Sequence, residues 1–537
     1  MLIKIYNPFK KEEDRPTPSS VYNWRIYFVG LISSFAALEI GYDSGFIGGT
    51  LALNSFRKEF GFDRMSESHS SFIISNIVSL FHAGCFFGSI LSYPITFYKG
   101  RKVVLISSAL FMALGAVLML ISNKDRGLGP IYAGRILAGI GVGQSTSIVP
   151  TFLSEISPPP IRGRVSAMYE IGWRTGDLIG FWVSYAVDEN MSTGYVQWIL
   201  PFAIQIIPAA LYLALVWWVK ESPRWLFSVG KDSEAIENSK FYRKLDDGND
   251  YLLSEISSIK ESVNEAKKKV GTGIAGPFLI LLREPKLQKR LLVTASLYVF
   301  QNLLGVQSIN YYSPIIFGKI GVDGTNATLF STGMFGVVKY IATIIWLMFI
   351  VEQIGRRNTL LYVSPICAVC FFYIGAYLKV EGGAAAGRAA LGLMYVWCFF
   401  FIIGWSGTPY IVGAEVFDNS LRASFQAINS MFLWLSVFFM TRFTTDMIEG
   451  MDYGIFFFFA SMALISIPWV YFLLPETKGI PLENMEELFD YPAPRAHILV
   501  FNSLKCGSDI LQDKADESSL TSNGNLKQET IHVEKVV

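Results

Sequence analysis

The chain contains itself twice. Gly100-Arg101-Lys102, Glu155 with Arg162 seven residues on, and Glu221-Ser222-Pro223 return as Gly355-Arg356-Arg357, Glu415 with Arg422 seven residues on, and Pro475-Glu476-Thr477. Each mark recurs 255 or 260 residues later, and long apolar runs fill the intervals in both copies. A duplicated set of apolar segments, punctuated by short charged marks, is the plan of a helical membrane bundle built twice, as secondary transporters are.

Composition bears on where such a bundle can live. The chain is 52% hydrophobic, 15% aromatic and only 17% charged, too little charge to coat a globular surface in water. A membrane helix needs roughly 20 apolar residues. Twelve such runs fit, near 23–48, 71–98, 103–122, 129–153, 164–187, 198–219, 290–317, 327–351, 359–379, 389–414, 423–446 and 452–474. The expected protein is all-α, with twelve transmembrane helices in two pseudo-symmetric six-helix bundles, 23–219 and 290–474. Residues 1–22 form a cytoplasmic N-terminal segment, and residues 220–289 a charged, partly helical cytoplasmic linker with an amphipathic stretch from Asp246 to Lys269. The tail, 475–537, ends in a Ser/Thr/Asn/Glu-rich run, Asp513 to Thr530, that buries too little apolar surface to fold. It is expected to be largely disordered, either regulatory or inert.

Met1 to Tyr22 has no apolar core before a small-residue cleavage site, so no signal peptide is read. Lys99, Arg101, Lys102, Arg162, Arg164, Arg356, Arg357 and Arg422 fall on one side, which the positive-inside rule places in the cytoplasm with both termini. The sequons at Asn190 and Asn326 then both land outside, where glycosylation requires them. A net charge of +1 gives no footprint for a polyanion such as nucleic acid. Cys367 and Cys370 make a CxxC inside an apolar run, without a second ligand pair, and read as small buried hydrophobes. The four histidines have no metal spacing, and no nucleotide loop, Gly-x-Ser-x-Gly or His-Glu-x-x-His appears. No enzyme, cofactor or metal is expected, and transport would draw on gradients rather than hydrolysis.

Ionisable residues at membrane depth are costly and mark function. Here they are Glu39, Asp43, Arg135, Glu170, Arg174, Asp177 and Lys339. Asp43 can bind and release a proton as access alternates, with Arg135 as its counter-charge holding it ionised while paired; a static ion pair fixing helix packing is the bland alternative. Glu170, Arg174 and Asp177 form one stripe of the fifth helix, with Glu170 the better ligand for a hydroxylated substrate, unless Arg174 merely neutralises its neighbours. Gln301, Asn302, Gln307 and Asn310 crowd the seventh helix. Amides carry donors and acceptors and so suit a polyol, although a polar helix seam needs them too. Trp405, Tyr410 and Trp434 offer flat apolar faces for a ring. Lys339 stands alone in the eighth helix, available to a ligand carboxylate or to a partner on another helix.

The combination Gly100-Arg101-Lys102, Arg135-x3-Gly-x-Gly-Val-Gly, Glu155-x6-Arg162, Glu221-Ser222-Pro223-Arg224-Trp225, Asn310-Tyr311-Tyr312-Ser313-Pro314, Gly355-Arg356-Arg357 and Pro475-Glu476-Thr477-Lys478 resembles the sugar porter family of the major facilitator superfamily over about 20–490. Within it, Asp14-Arg15-Pro16-Thr17-Pro18, Ile40-Gly41-Tyr42-Asp43-Ser44 and Phe335-Gly336-Val337-Val338-Lys339 are most similar to the fungal quinate permease branch. The resemblance implies the major facilitator fold, alternating access, and a midplane site formed mainly by helices five, seven, eight, ten and eleven. It assigns proton coupling to Asp43 and Arg135, and a cytoplasmic gate to Gly100, Arg101, Glu155, Arg162, Gly355, Arg356, Glu415 and Arg422. It places Glu170 at the family's ring-holding Gln, Gln301, Asn302 and Gln307 at its seventh-helix amides, Tyr340 at an eighth-helix Asn, Tyr410 at a tenth-helix Trp and Leu433 at an eleventh-helix Asn. Trp434 and Lys339 join the expected substrate site beside them. The expected function is import of a hexose, a pentose or quinate by proton symport at a fungal plasma membrane, the chain working as a monomer. A facilitative uniporter and a non-transporting sugar sensor are the alternatives.

Overall fold

The computed structural model describes residues 17–501, apart from 247, 272, 351–353, 381, 418–420, 479 and 481–484. Among the described residues there is no strand beyond one isolated bridge, Asn123 with Gly127. Twelve long helical spans follow one another. In the first half they are α1 (Trp24–Ala52), α2 (Glu67–Lys99), α3 (Arg101–Met119), α4 (Gly129–Ile156), α5 (Pro159–Asn190) and α6 (Tyr195–Trp218). In the second they are α7 (Pro285–Lys319), α8 (Thr325–Ile350), α9 (Arg356–Val380), α10 (Ala384–Glu415), α11 (Arg422–Met451) and α12 (Gly454–Leu473).

Among the described residues, eleven helices are long and apolar enough to cross a membrane; α5 falls short of that measure. The reason is its charge: Arg162, Arg164, Glu170, Arg174, Asp177, Asp188 and Glu189 all lie on it. Those at membrane depth turn inward onto partners, which is how such a helix avoids the cost of exposing charge to lipid.

Close backbone approach fixes α1 on α5. A Cβ added at Gly45 would stand 2.4 Å from the Asp177 carbonyl oxygen, and one at Gly41 would stand 1.8 Å from that of Trp173. Only glycine fits there, as in membrane helix pairs generally. The second half packs on rings instead: Phe371 lies 4.9 Å from Trp397 and 5.6 Å from Phe459, centroid to centroid. Its helices are also interrupted. Gly305, with φ +87°, breaks α7, and π-helical turns occupy Trp346–Ile350 of α8 and Ile402–Ser406 of α10, irregularities that tend to mark functional segments.

The linker is helical over Pro223–Ser228, Asp232–Arg243, Asp250–Val270 and Gly276–Arg283; the first three gather on a small core of Trp225, Leu226, Leu252 and Ile256, while Ile280 and Leu281 of the fourth pack on the bundle. It docks on the first half: Asn23 Nδ2 donates to the Tyr242 carbonyl at 2.8 Å and Arg243 to the Ile156 carbonyl at 2.6 Å. Past α12, Arg290 holds Glu486 at 2.9 Å. The tail run expected to be disordered, and Cys506, lie outside the described residues, as do residues 1–16. Cys85, Cys367, Cys370 and Cys398 are free and buried, and no group of metal-ligating residues occurs among the described residues.

Candidate functional site

At the end of the bundle that the positive-inside rule assigns to the cytoplasm, the two halves build the same clamp. The Gly100 turn, φ +96°, presents the amides of Arg101 and Lys102 to Glu221 at 3.1 and 3.0 Å. The Gly355 turn, φ +94°, presents those of Arg356 and Arg357 to Glu476 at 2.8 and 3.0 Å. Both backbones sit where L-residues are strained, and a Cβ would meet the carboxylate at 2.2 Å in one copy and 2.5 Å in the other. From the same turns Arg101 pairs with Glu155 and Arg356 with Glu415, each at 2.8 Å. Ser222 Oγ donates to Glu155 at 2.5 Å, and Thr477 Oγ1 to Glu415 at 2.7 Å. Burial pushes the Glu221 carboxyl above the ordinary carboxylate range, against the pull of the Ser222 and Lys102 amides and the Arg101 charge. Arg162 lies in the first turn of α5, and Arg422 opens α11, donating to the Phe417 carbonyl at 3.3 Å.

Deep in the first half, Asp43 and Arg135 are fully buried, with Arg135 Nη1 2.6 Å from both carboxylate oxygens. The guanidinium is further held by the Ile77 carbonyl at 2.9 Å and lies 4.4 Å from the Phe81 ring centroid. Gln205, on α6, donates at 3.0 Å to Asp43 and at 3.0 Å to Glu39, one turn earlier on α1.

A second charge network crosses the midplane. Lys339 on α8, 2% exposed, donates to Asp177 on α5 at 2.5 Å and to Asn310 on α7 at 2.7 Å. Arg174 binds Glu170 at 2.9 Å, Asp177 at 3.2 Å and Ser406 on α10 at 2.6 Å. Gln301 donates to the Trp405 and Ser406 carbonyls at 2.9 and 2.8 Å, leaving its own carbonyl oxygen without a partner. Asn302 donates to Tyr298 and to Ser436, and its oxygen too is unpartnered. Buried acceptors of this kind are what an incoming hydroxyl needs. Gln307 and Tyr340 are half-buried and outside this network. Tyr410 packs edge-on against Tyr298 at 5.1 Å, and Trp434 bonds Thr146 on α4 at 3.0 Å.

Toward the opposite end, Tyr311 closes the middle of the molecule. Its hydroxyl lies 3.0 Å from both Ser44 and His82 of the first half, and His82 also meets Thr441 of α11 at 3.2 Å. Beyond it opens a cavity of about 470 Å³, lined by residues that include Leu51, Arg57, Ile74, Tyr311, Tyr312 and Asp323. Asn190 ends α5 and Asn326 opens α8, close enough for Asn326 to donate to Glu189.

The family model for sugar (and other) transporters matches residues 29–489. The chain belongs to this family. The transporter is 43% identical to a probable quinate permease of Neosartorya fischeri over 526 residues, 96% of this chain and 97% of the relative. It is 44% identical to one of Aspergillus niger over 528 residues, 96% of this chain and 97% of that one. Among solved structures it resembles the major facilitator superfamily proton:xylose symporter XylE bound to 6-bromo-6-deoxy-D-glucose, with TM-score 0.72 and 24% identity over 86% of this chain and 99% of that one. A partially occluded inward open conformation of XylE from E. coli gives 0.71 at 23% identity, covering 86% and 100%. The transporter therefore has the major facilitator fold, spans the membrane many times, and is no enzyme.

The sequence points to the charged members of these networks and to the amides of α7, but not to four neutral side chains that tie the elements together. Gln205, His82, Ser406 and Tyr311 each join two or more elements. The available signal was a polar side chain inside an apolar run, as weighty for an amide or imidazole as for a carboxylate.

Proposed function

We propose that this transporter imports a sugar-like polyhydroxy acid of the quinate type by proton symport and alternating access, at a fungal plasma membrane. The observation that carries the substrate is Lys339, a buried ammonium at the junction of the halves whose present partner is a carboxylate, Asp177. A neutral sugar needs no buried cation, whereas a ring carrying a carboxylate and hydroxyls does. In this reading the substrate carboxylate takes the place of Asp177 on Lys339, Glu170 and the open oxygens of Gln301 and Asn302 receive ring hydroxyls, and Asn310 fixes the ammonium. The names of the fungal relatives support the same chemistry.

The test is uptake of labelled quinate, glucose, fructose and xylose in transporter-deficient yeast, with external pH recorded and a protonophore control. Protonophore-sensitive quinate uptake with alkalinisation is expected. Insensitive uptake makes the protein a facilitator, and no uptake of any of the four makes it a sensor. Glu170→Gln is expected to shift the preference between quinate and neutral sugars. Lys339→Gln is expected to lower quinate uptake by more than tenfold, about 1.4 kcal/mol or more, with a smaller loss for any sugar carried; equal losses remove the ammonium from carboxylate recognition.

A further inference from the structure

Two carboxylates share one cation at the heart of the first half. Glu39 and Asp43 are one turn apart on α1 and both have zero exposure. Arg135 spends its contacts elsewhere than on Glu39: Nη1 on both oxygens of Asp43, Nε on the Ile77 carbonyl, Nη2 toward the Val78 carbonyl at 3.5 Å. Glu39 receives a single neutral hydrogen bond, from Gln205, and its second oxygen is buried without a partner. The carbonyl oxygen of Gln205 is likewise unpartnered, a spare acceptor beside the acid. Around the pair stand Tyr42 on α1, His82 and Cys85 on α2, and Tyr311 on α7. Asp177, on the packed face of α5, is committed to Lys339 and Arg174. Two ionised carboxylates against one guanidinium leave a net buried charge, which a protein at this depth avoids. Asp43 has the guanidinium, and Glu39 has an oxygen with nothing to accept from.

We infer that Glu39 is a second proton-binding group of the coupling centre and holds the transported proton in this closed state, while Asp43 remains the anion that keeps Arg135 in place. The inference rests on the symport reading above. The proton arrives from water on one side, forms an O–H bond on a Glu39 carboxylate oxygen, and leaves to water on the other side, with Asp43 and Arg135 unchanged in charge. Gln205 positions both carboxylates by dividing its two N–H groups between them.

The full-length protein in proteoliposomes tests this with labelled quinate and xylose, reading substrate-driven proton entry by an internal pH dye and substrate exchange across pH 5 to 8. Wild-type protein is expected to couple, with exchange falling as pH rises because Glu39 must be protonated to close. E39Q, a fixed neutral side chain, is expected to lose substrate-driven proton entry while exchange persists and becomes flat with pH. E39D keeps a titratable group in altered surroundings and is expected to stay coupled with its exchange midpoint moved by about one pH unit, a tenfold change in proton affinity. A coupled wild type with E39Q coupled equally, or with E39D unmoved where E39Q fails to assemble, overturns the Glu39 assignment alone. A wild type without proton entry overturns the symport reading, and the Glu39 assignment with it.

Discussion

In the first half α1 meets α5 backbone to backbone at glycines, and the buried ionisable groups Glu39, Asp43 and Arg135 gather beside Gln205, where α6 breaks between Ile204 and Ile206. In the second half aromatic rings separate the helices, α7 is broken at Gly305, and π-turns end α8 at Trp346–Ile350 and interrupt α10 at Ile402–Ser406. The clamps of the two halves nevertheless share the same frame, two backbone amides on one glutamate and an Arg–Glu pair beside them. The repeat is thus kept in the charged clamp at one end of each half and lost in the interior, where the first half buries Asp43 against Arg135 and the second is broken at Gly305 and Ile402–Ser406. Within α10 the only charged residues are Arg388 near one end and Glu415 at the other, so nothing on it corresponds to the Arg135 that α4 supplies.

The sharpest way to break this contrast is Arg135→Leu, which strands the buried Asp43 carboxylate without its cation. It is expected to cost about 3–5 kcal/mol, seen as loss of monodisperse protein in fluorescence size-exclusion. A variant melting close to wild type would show that the charged core of the first half is dispensable. Next come Glu155→Gln and Glu415→Gln as a matched pair. Each removes one charge-assisted clamp and is expected to shift the population about tenfold toward the cytoplasm-open form, roughly 1.5 kcal/mol. A single cysteine placed at the inner mouth would report this by its labelling rate. A shift from one variant and none from the other would end the equivalence of the two clamps. Gly100→Ala and Gly355→Ala strain the positive φ by about 1 kcal/mol each and push a Cβ against the clamp carboxylate, read as a drop of a few degrees in detergent. Smallest are Asn190→Gln and Asn326→Gln, expected to raise gel mobility through loss of a glycan while leaving uptake unchanged.

Much of this was legible in the sequence. The spaced marks gave the repeat because Gly-Arg, the first Glu and the later Glu with its Ser or Thr meet in one clamp in each copy, and Asp43 with Arg135 stood out because charge at membrane depth must be paired. α5 was readable as a span only by looking past its charges, which an apolar count does not do. The partner of Lys339 was not legible: Asp177 lies 162 residues earlier, on a helix of the other half, and no spacing rule joins them. Nor was the role of Gln205, whose meaning comes from two carboxylates that α1 carries one turn apart.

The four described thiols are free and buried within the bundle. Maleimide reagents added from water will therefore find a silent background over residues 17–501, so reporters can be introduced singly around the outer cavity after replacing Cys506 alone. Gly318, Val322 and Thr325 on its rim become natural positions for following, label by label, when the Tyr311 barrier lifts.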